Sequence, residues 1–238
     1  MTLTIADPEA ADESGTPIRI VRRMETNPGD LCADADRDRS GAEIGFENGG
    51  GIRTEIAAWD ITPGDILRIH PFGNAVCMIE AAGRQILDAL EWGARAFPGE
   101  TGAFLQVPGM SYEIHSCIPS SCVPDENGMF LRAEGERRVK NVLVGGEPID
   151  PERTCMLACH DYLLLDGGDG FSVFRGAPVL RDRVKLDNQL LIDYIVDTLG
   201  GVIGEEYADL RGQDRHRGGG VRAEDRIVRL LIPEGLTA

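Results

Sequence analysis

The sequence lacks the motifs that usually mark a reaction centre. There is no Gly-Lys-Ser/Thr phosphate loop, no GxGxxG fingerprint and no serine in a nucleophile elbow, which argues against several common enzyme classes. Cys159 and His160 are neighbours on a predicted strand, so their side chains point to opposite faces and cannot pair as nucleophile and base. The histidines are few, and none has the carboxylate spacing of a two-metal phosphatase: His70, His115, His160 and His216. The residues alone therefore predict a ligand-binding fold without a reaction centre.

Positive charge and long apolar runs are also scarce. The chain has 24 Lys and Arg against 40 Asp and Glu, a formal net charge of -16. Because such a surface repels phosphate backbones and anionic lipids, we expect no nucleic-acid partner and no membrane insertion by this segment. The apolar runs are too short to cross a bilayer, and residues 1–17 lack a signal-peptide core. That beginning fits either a cytosolic protein or an internal piece of a longer exported chain.

The sequence contains six cysteines, which could be free thiols or could include a disulfide. Cys117 and Cys122 lie in a Pro- and Ser-rich stretch that could close a small disulfide loop or carry free thiols. Cys155 and Cys159 share one face of a predicted strand, where buried free thiols are the commoner outcome. Zinc would require tighter cysteine pairs with histidine partners, so we expect no metal site in this chain.

Strand and helix patterns mix without strict alternation, which predicts an α+β fold. Residues 1–17 are acidic and featureless and predict a disordered lead or linker, leaving residues 18–238 as one domain. The clearest helix covers residues 83–97. A second is predicted from residue 28 through 35 with Asn27 as its N-cap, and a third over 187–199 with Gly200 and Gly201 ending it. The predicted strands cover residues 18–21, 42–47, 66–70, 75–81, 111–118, 140–144, 154–159 and 227–232. Residues 211–220 form an Arg/Gly segment. Because the chain as a whole is acidic, we expect this segment to be a flexible loop rather than a tail that binds nucleic acid.

Three short segments carry candidate ligand chemistry. Asn48-Gly-Gly-Gly-Ile-Arg53 follows a predicted strand, so that bare backbone could offer N–H donors and Arg53 could bind phosphate or carboxylate. Phe72 lies on a turn, either as a core residue or as an exposed stacking surface. Tyr162 precedes a glycine loop that contains Asp169, a pairing that could bind a base and ribose. Each segment, taken singly, is more often a plain turn.

Together, however, the segments occur in a recognisable order. The ordered set comprises Arg22-x-x-Glu25, Gly29-x-Leu31-x-x-Asp34-Ala35, Asn48-Gly-Gly-Gly-Ile-Arg53, Pro71-Phe-Gly-Asn74, Phe104-Leu-Gln-Val107 and Gly167-Gly-Asp-Gly-Phe171. Over residues 18–200 this set resembles the 5'-nucleotidase C-terminal domain. The resemblance implies a four-layer α-β-β-α domain that binds a nucleoside or nucleotide. It also implies an N-terminal metallophosphatase domain, holding two divalent metal ions, elsewhere in the full-length chain.

The resemblance assigns roles to particular residues and none of them is catalytic. Arg22 and Arg53 would meet phosphate, with Asn48, Gly50 and Gly51 lining the site. Phe72 would be one stacking ring, and Asp169 a contact to ribose or base. The second ring is Tyr162, with a one-residue loop insertion, whereas a register without a gap would put Leu163 there.

The resemblance therefore implies the substrate-binding part of a 5'-nucleotidase-type hydrolase of 5'-nucleotides or related phosphoesters. This chain alone would be inactive, and its location would be extracellular, periplasmic or at the cell surface. The alternative is a stand-alone nucleoside-binding or cell-surface adhesion module with no hydrolase activity.

Overall fold

Helices and strands follow one another irregularly along the chain. The structure is a computed structural model that describes residues 3–11, 14–56, 60–204 and 207, and the backbone of 228–229. The mixture of elements in these residues confirms the α+β fold expected from the sequence. The helices are α1 (Asn27–Ser40), α2 (Pro63–Ile69), α3 (Gly83–Gly93), α4 (Asp161–Leu164) and α5 (Asp187–Asp193). The strands are β1 (Asp7–Ala11), β2 (Pro17–Ile18), β3 (Ile44–Gly45), β4 (Glu47–Asn48), β5 (Ala75–Ala82), β6 (Leu105–Gln106), β7 (Met110–Ile114), β8 (Cys122–Pro124), β9 (Phe130–Ala133), β10 (Val139–Val144), β11 (Glu147–Pro148), β12 (Thr154–His160), β13 (Val179–Leu186), β14 (Val202–Ile203) and β15 (Val228–Arg229).

A four-stranded sheet separates two hydrophobic clusters. Its order is β13-β5-β12-β3, with β5 antiparallel to both neighbours and β12 parallel to β3. Alternation along β5 sends Cys77 and Ile79 to one cluster, which α3 completes, and Val76 to the other, which α1 and α5 complete. Burial of each large aliphatic side chain contributes about 1.5–3 kcal/mol, so both faces of the sheet stabilise the fold.

Helix α1 begins one residue earlier and runs longer than its sequence pattern predicts. The Thr26 hydroxyl, not the Asn27 side chain, accepts the capping hydrogen bond from the Gly29 N–H. The polar run after residue 35 stays helical because an Arg37–Asp34 ion pair one turn apart supports it. Gly41 ends the helix in the left-handed conformation, with φ of 74°.

The strand predicted over residues 66–70 is wrong, because this segment belongs to helix α2. Thr62 and Asp65 form a reciprocal capping box, and Pro63 occupies the first turn, where its missing N–H costs nothing. The strong N-terminal signals therefore override the β-branched pair Ile66 and Ile69, whose side chains are both fully buried.

The other principal elements lie near their expected positions. The strand predicted over residues 75–81 is β5, and that over 154–159 is β12. Helix α3 ends at Gly93, short of the expected residue 97. Helix α5 continues as a π-helical turn through Thr198, and Gly200 follows at a φ of 67°, as the glycine pair predicts.

The two ends of the chain and its thiols differ from the sequence-based expectations or lie outside the described residues. The described part of residues 1–17 is not a disordered lead: β1 pairs with β2, and fully buried Leu3 exchanges backbone hydrogen bonds with Ile56. Apart from the backbone of β15, which pairs with β14, the strand predicted over 227–232 and the Arg/Gly segment over 211–220 lie outside the described residues. Cys117 and Cys122 are both free thiols, which corrects the disulfide alternative.

Candidate functional site

One cleft gathers residues from five separated stretches of the chain. Its volume is about 430 Å³. All eight residues singled out from the sequence line it, and two further residues complete the wall. The lining residues are Arg22, Asn48, Gly50, Gly51, Arg53, Phe72, Asn74, Gly102, Tyr162 and Asp169.

The glycine turn after β4 gives the cleft its floor. A Cβ on Gly49 would collide with the backbone carbonyl oxygen of Val21, so only glycine allows the chain to pass so close to that segment. The expected N–H donors are absent from this floor. The N–H groups of residues 49, 50 and 51 donate instead to the carbonyls of Phe104, Gly102 and Asn48. The turn therefore offers a ligand space and a flat surface, but none of these three donors.

Two arginines supply positive charge at the cleft. Arg22 ends a 3-10 turn that buried Gln106 holds, since the Gln106 amide donates to the carbonyls of Val21 and Met24 at 2.9 and 2.8 Å. Burial, followed by the nearby charges of Arg19 and Arg53, lowers the pKa of Arg22. Arg53 donates to the Gly50 carbonyl at 3.2 Å. The two guanidinium groups make a positive spot on an acidic protein.

Two aromatic rings of the cleft are open to solvent. Phe72 is 61% exposed and lies beside Arg53, whose guanidinium carbon is 5.7 Å from the ring centre. Tyr162 is 40% exposed, whereas Leu163 is 0% exposed, so the tyrosine and not the leucine lines the cleft. The short helix α4 produces this arrangement, because it turns Leu163 into the core. Large exposed aromatic side chains lose the free energy of burial, which makes such a pair unusual without a ligand.

Asp169 connects the tyrosine to the glycine turn. Its Oδ2 accepts from Asn48 Nδ2 at 2.6 Å, and its Oδ1 accepts from the Tyr162 hydroxyl at 3.3 Å. Burial, followed by the Asp169 charge, raises the pKa of Tyr162, so the phenol stays protonated as the donor. Trp92 fixes the Asp169 backbone by donating to its carbonyl at 3.0 Å. The carboxylate keeps further lone pairs for hydroxyl or N–H donors in the cleft.

The sequence as a whole matches a known domain family. The family described as "5'-nucleotidase, C-terminal domain" matches residues 4–176.

The chain belongs to this family.

Relatives of this 5'-nucleotidase C-terminal domain include UshA of Escherichia coli, 30% identical over 175 residues that make up 74% of this chain and 28% of that protein. The trifunctional nucleotide phosphoesterase protein YfkN of Bacillus subtilis is 32% identical over 179 residues, 74% of this chain and 12% of that protein. The crystal structure of a 5'-nucleotidase precursor from Thermus thermophilus superposes with a TM-score of 0.58 at 30% identity, covering 74% of this chain and 33% of that one. The chain thus spans at most a third of the length of these relatives.

Sequence patterns missed two lining residues and the layer beneath them. Asn74 had a signal, because it ends the Pro71-Phe-Gly-Asn turn, but Gly102 had none. Beneath the glycine turn lie His160 and Glu47, both buried, with 3.4 Å between His160 Nε2 and Glu47 Oε1. They lie far apart in sequence, and only the pairing of β12 with β3, just before β4, brings them together.

No metal centre is found in the part of the chain that the structure describes, and Cys159 with His160 is not arranged as a nucleophile and base. No group of three or more His, Cys, Asp or Glu side chains there could hold a metal ion. Burial raises the pKa of Cys159 well above its ordinary value, and its neighbour His160 is engaged with Asn48. Of the described helices, none combines the length and apolar character needed to cross a bilayer.

Proposed function

We propose that this domain binds the nucleoside part and the phosphate of a 5'-nucleotide or related phosphoester for a 5'-nucleotidase-type hydrolase. The base stacks between Phe72 and Tyr162, Asp169 accepts from ribose or base, and Arg22 with Arg53 binds the phosphate. Asn48, Gly50 and Gly51 line the same site.

The observation that carries the proposal is the pair of solvent-exposed rings in one cleft with two arginines. Phe72 and Tyr162 come from segments ninety residues apart, yet both line a cleft of about 430 Å³. Stacking of a base on an aromatic ring contributes about 1–3 kcal/mol in nucleic-acid binders. Charge-assisted bonds from guanidinium to phosphate are among the strongest hydrogen bonds in proteins. On a protein with a net charge of -16, a local pair of arginines favours an anion at this cleft.

Hydrolysis would require a second domain. Phosphoester cleavage of this type uses two divalent metal ions to activate water and to hold the developing charge. The described residues lack such a site, and this chain covers only 28% of UshA, which leaves length for a separate N-terminal metallophosphatase domain. We assign both metal ions to that domain, and the full-length protein to an extracellular, periplasmic or cell-surface location.

A titration panel tests the binding role. Adenosine, adenosine 5'-monophosphate, ribose 5-phosphate and inorganic phosphate would be added to the purified 238-residue chain while amide and ring resonances are followed by NMR. We expect millimolar dissociation constants, near -4 kcal/mol, because the second domain is missing, with ring-current shifts at Phe72 and Tyr162. The same samples should release no phosphate with manganese, cobalt or zinc added. Failure of all four ligands to shift resonances at the cleft, or turnover by the isolated chain, would contradict the proposal.

A further inference from the structure

A buried hydrogen-bond chain runs from the core to the wall of the cleft. An ion-pair contact of 3.4 Å joins Glu47 to His160, and hydrogen bonds continue from His160 through Asn48 to Asp169 and Tyr162. Glu47, Asn48 and His160 are all at least nine-tenths buried, and of these three only Asn48 is among the residues that line the cleft. A polar group that loses its hydrogen-bond partner at such a depth costs free energy. Breaking any one of these hydrogen bonds should therefore disturb its neighbours.

The orientation of the Asn48 amide is fixed by its partners. Its Nδ2 atom lies 2.6 Å from Asp169 Oδ2 and 3.2 Å from the Gly102 carbonyl oxygen. Both neighbours are acceptors, so the NH₂ group must face them and the amide oxygen must face the other way. On that side, Asn48 Oδ1 lies 2.9 Å from His160 Nε2. An oxygen can only accept, so His160 must carry a proton on Nε2.

Glu47 strengthens this requirement. Its Oε1 also lies on the Nε2 side of the ring, at 3.4 Å, so that a carboxylate and an amide oxygen both face one nitrogen. Burial lowers the pKa of His160, but the charge and hydrogen bond of Glu47, together with the charges of Asp187 and Asp161, outweigh burial and raise it. Burial likewise raises the pKa of Glu47, but His160 and His70 lower it overall. Because two acceptors face Nε2, the ring must keep a proton on that nitrogen.

We propose that His160 is a positioning residue: its Nε2–H holds the Asn48 amide in the one orientation that binds the Asp169 carboxylate and thereby sets the Tyr162 ring. If the amide turned over, its oxygen would face the carboxylate of Asp169, and two acceptors would repel each other at hydrogen-bond distance. Asp169 would then move, and with it the hydroxyl bond that fixes Tyr162 beside the base. The inference rests on the proposed function, because it assigns His160 a role in shaping that same nucleoside site.

A matched pair of variants tests it. His160→Gln keeps an N–H donor at about the reach of the imidazole Nε2, whereas His160→Met has nearly the same length and no donor. We expect His160→Gln to bind adenosine within about threefold of the parent chain, and His160→Met to bind about tenfold more weakly. His115 gives the control, since its Nε2 bonds Glu113 at 2.8 Å outside the cleft. His115→Gln and His115→Met should both bind adenosine as the parent does.

Equal affinities of the Gln and Met variants at position 160 would overturn the inference. The proposed function would still stand in that case if Phe72→Ala weakened adenosine binding. Absence of adenosine binding by the parent chain would instead overturn the proposed function. The position of the His160 proton decides the inference without any ligand or variant. Long-range nitrogen–proton NMR spectra of the parent chain should show a proton on Nε2 and slow exchange of the Asn48 side-chain NH₂. A ring protonated at Nδ1 alone would overturn the inference, even if His160→Met failed to fold.

Discussion

Replacement of Phe72 by alanine separates ligand binding from folding. The ring is 61% exposed and lies at the cleft, so its removal exposes little new surface and leaves no cavity in the core. The structure gives it one notable internal partner, the Arg53 guanidinium at 5.7 Å, an exposed cation–π contact of about 0.5–1 kcal/mol. We therefore expect the free energy of unfolding to fall by less than about 1 kcal/mol.

The expected loss of nucleoside affinity is larger than this loss of stability. If the ring stacks on a base, its removal forfeits about 1–3 kcal/mol, which is a factor of about 5 to 150 in the dissociation constant. The measurement is an NMR titration of Phe72→Ala with adenosine beside thermal unfolding of the same preparation. Phe72→Trp should bind adenosine about as tightly as the parent chain, since an indole offers a stacking face at least as large as a phenyl ring.

Leu67 provides a matched control for this comparison. It is also a large apolar residue, 51% exposed, on helix α2 and not among the residues that line the cleft. Leu67→Ala should leave adenosine affinity unchanged within about twofold. The stacking argument fails if Phe72→Ala binds adenosine as the parent does, or if both alanine variants weaken binding equally.

Three further predictions concern charge and stability. Arg22→Ala and Arg53→Ala should each weaken binding of adenosine 5'-monophosphate more than that of adenosine, in parallel titrations; equal losses would make the arginines structural. Burial, followed by neighbouring carboxylates, raises the pKa of Asp36 well above its ordinary value, so the folded state binds this proton more tightly. The contribution of Asp36 to the free energy of unfolding therefore falls as pH rises above about 4. Asp36→Asn should raise the melting temperature at pH 7, and an unchanged or lower value would contradict this. The buried carboxylate of Glu91 accepts hydrogen bonds from three backbone N–H groups and one hydroxyl. Glu91→Gln should therefore lower the free energy of unfolding by about 1–3 kcal/mol. An unchanged value in denaturant titrations would show that these bonds do not stabilise the fold.

Local patterns predicted those elements whose own residues decide their structure. Strand β5 and helix α3 carry clear apolar periodicity, and both lie near the expected positions. Residues 66–70 resemble a strand because two isoleucines precede the Pro71-Phe-Gly-Asn turn, but the capping box of Thr62 and Asp65, just upstream, starts a helix there. The buried start of the chain at Leu3 was missed because its partner, Ile56, is far away in sequence.

The residues that line the cleft could be predicted from the ordered motifs, whereas the residues that hold them in place could not. Arg53, Phe72 and Asp169 lie on turns whose composition is visible in the sequence. The supporting contacts depend on tertiary pairing: Gln106 reaches Val21 across 85 residues, and His160 reaches Asn48 across 112. The sequence also could not show that the backbone N–H groups of the glycine turn are already bonded, because one acceptor, the Phe104 carbonyl, is far away in sequence.

The most direct test of nucleotide binding in this cleft is a crystal structure of the chain with adenosine 5'-monophosphate. We expect the adenine ring between Phe72 and Tyr162, a ribose hydroxyl or ring nitrogen within hydrogen-bond distance of Asp169, and the phosphate against Arg22 and Arg53. A nucleotide bound elsewhere on the chain, or a base that contacts neither ring, would contradict the account.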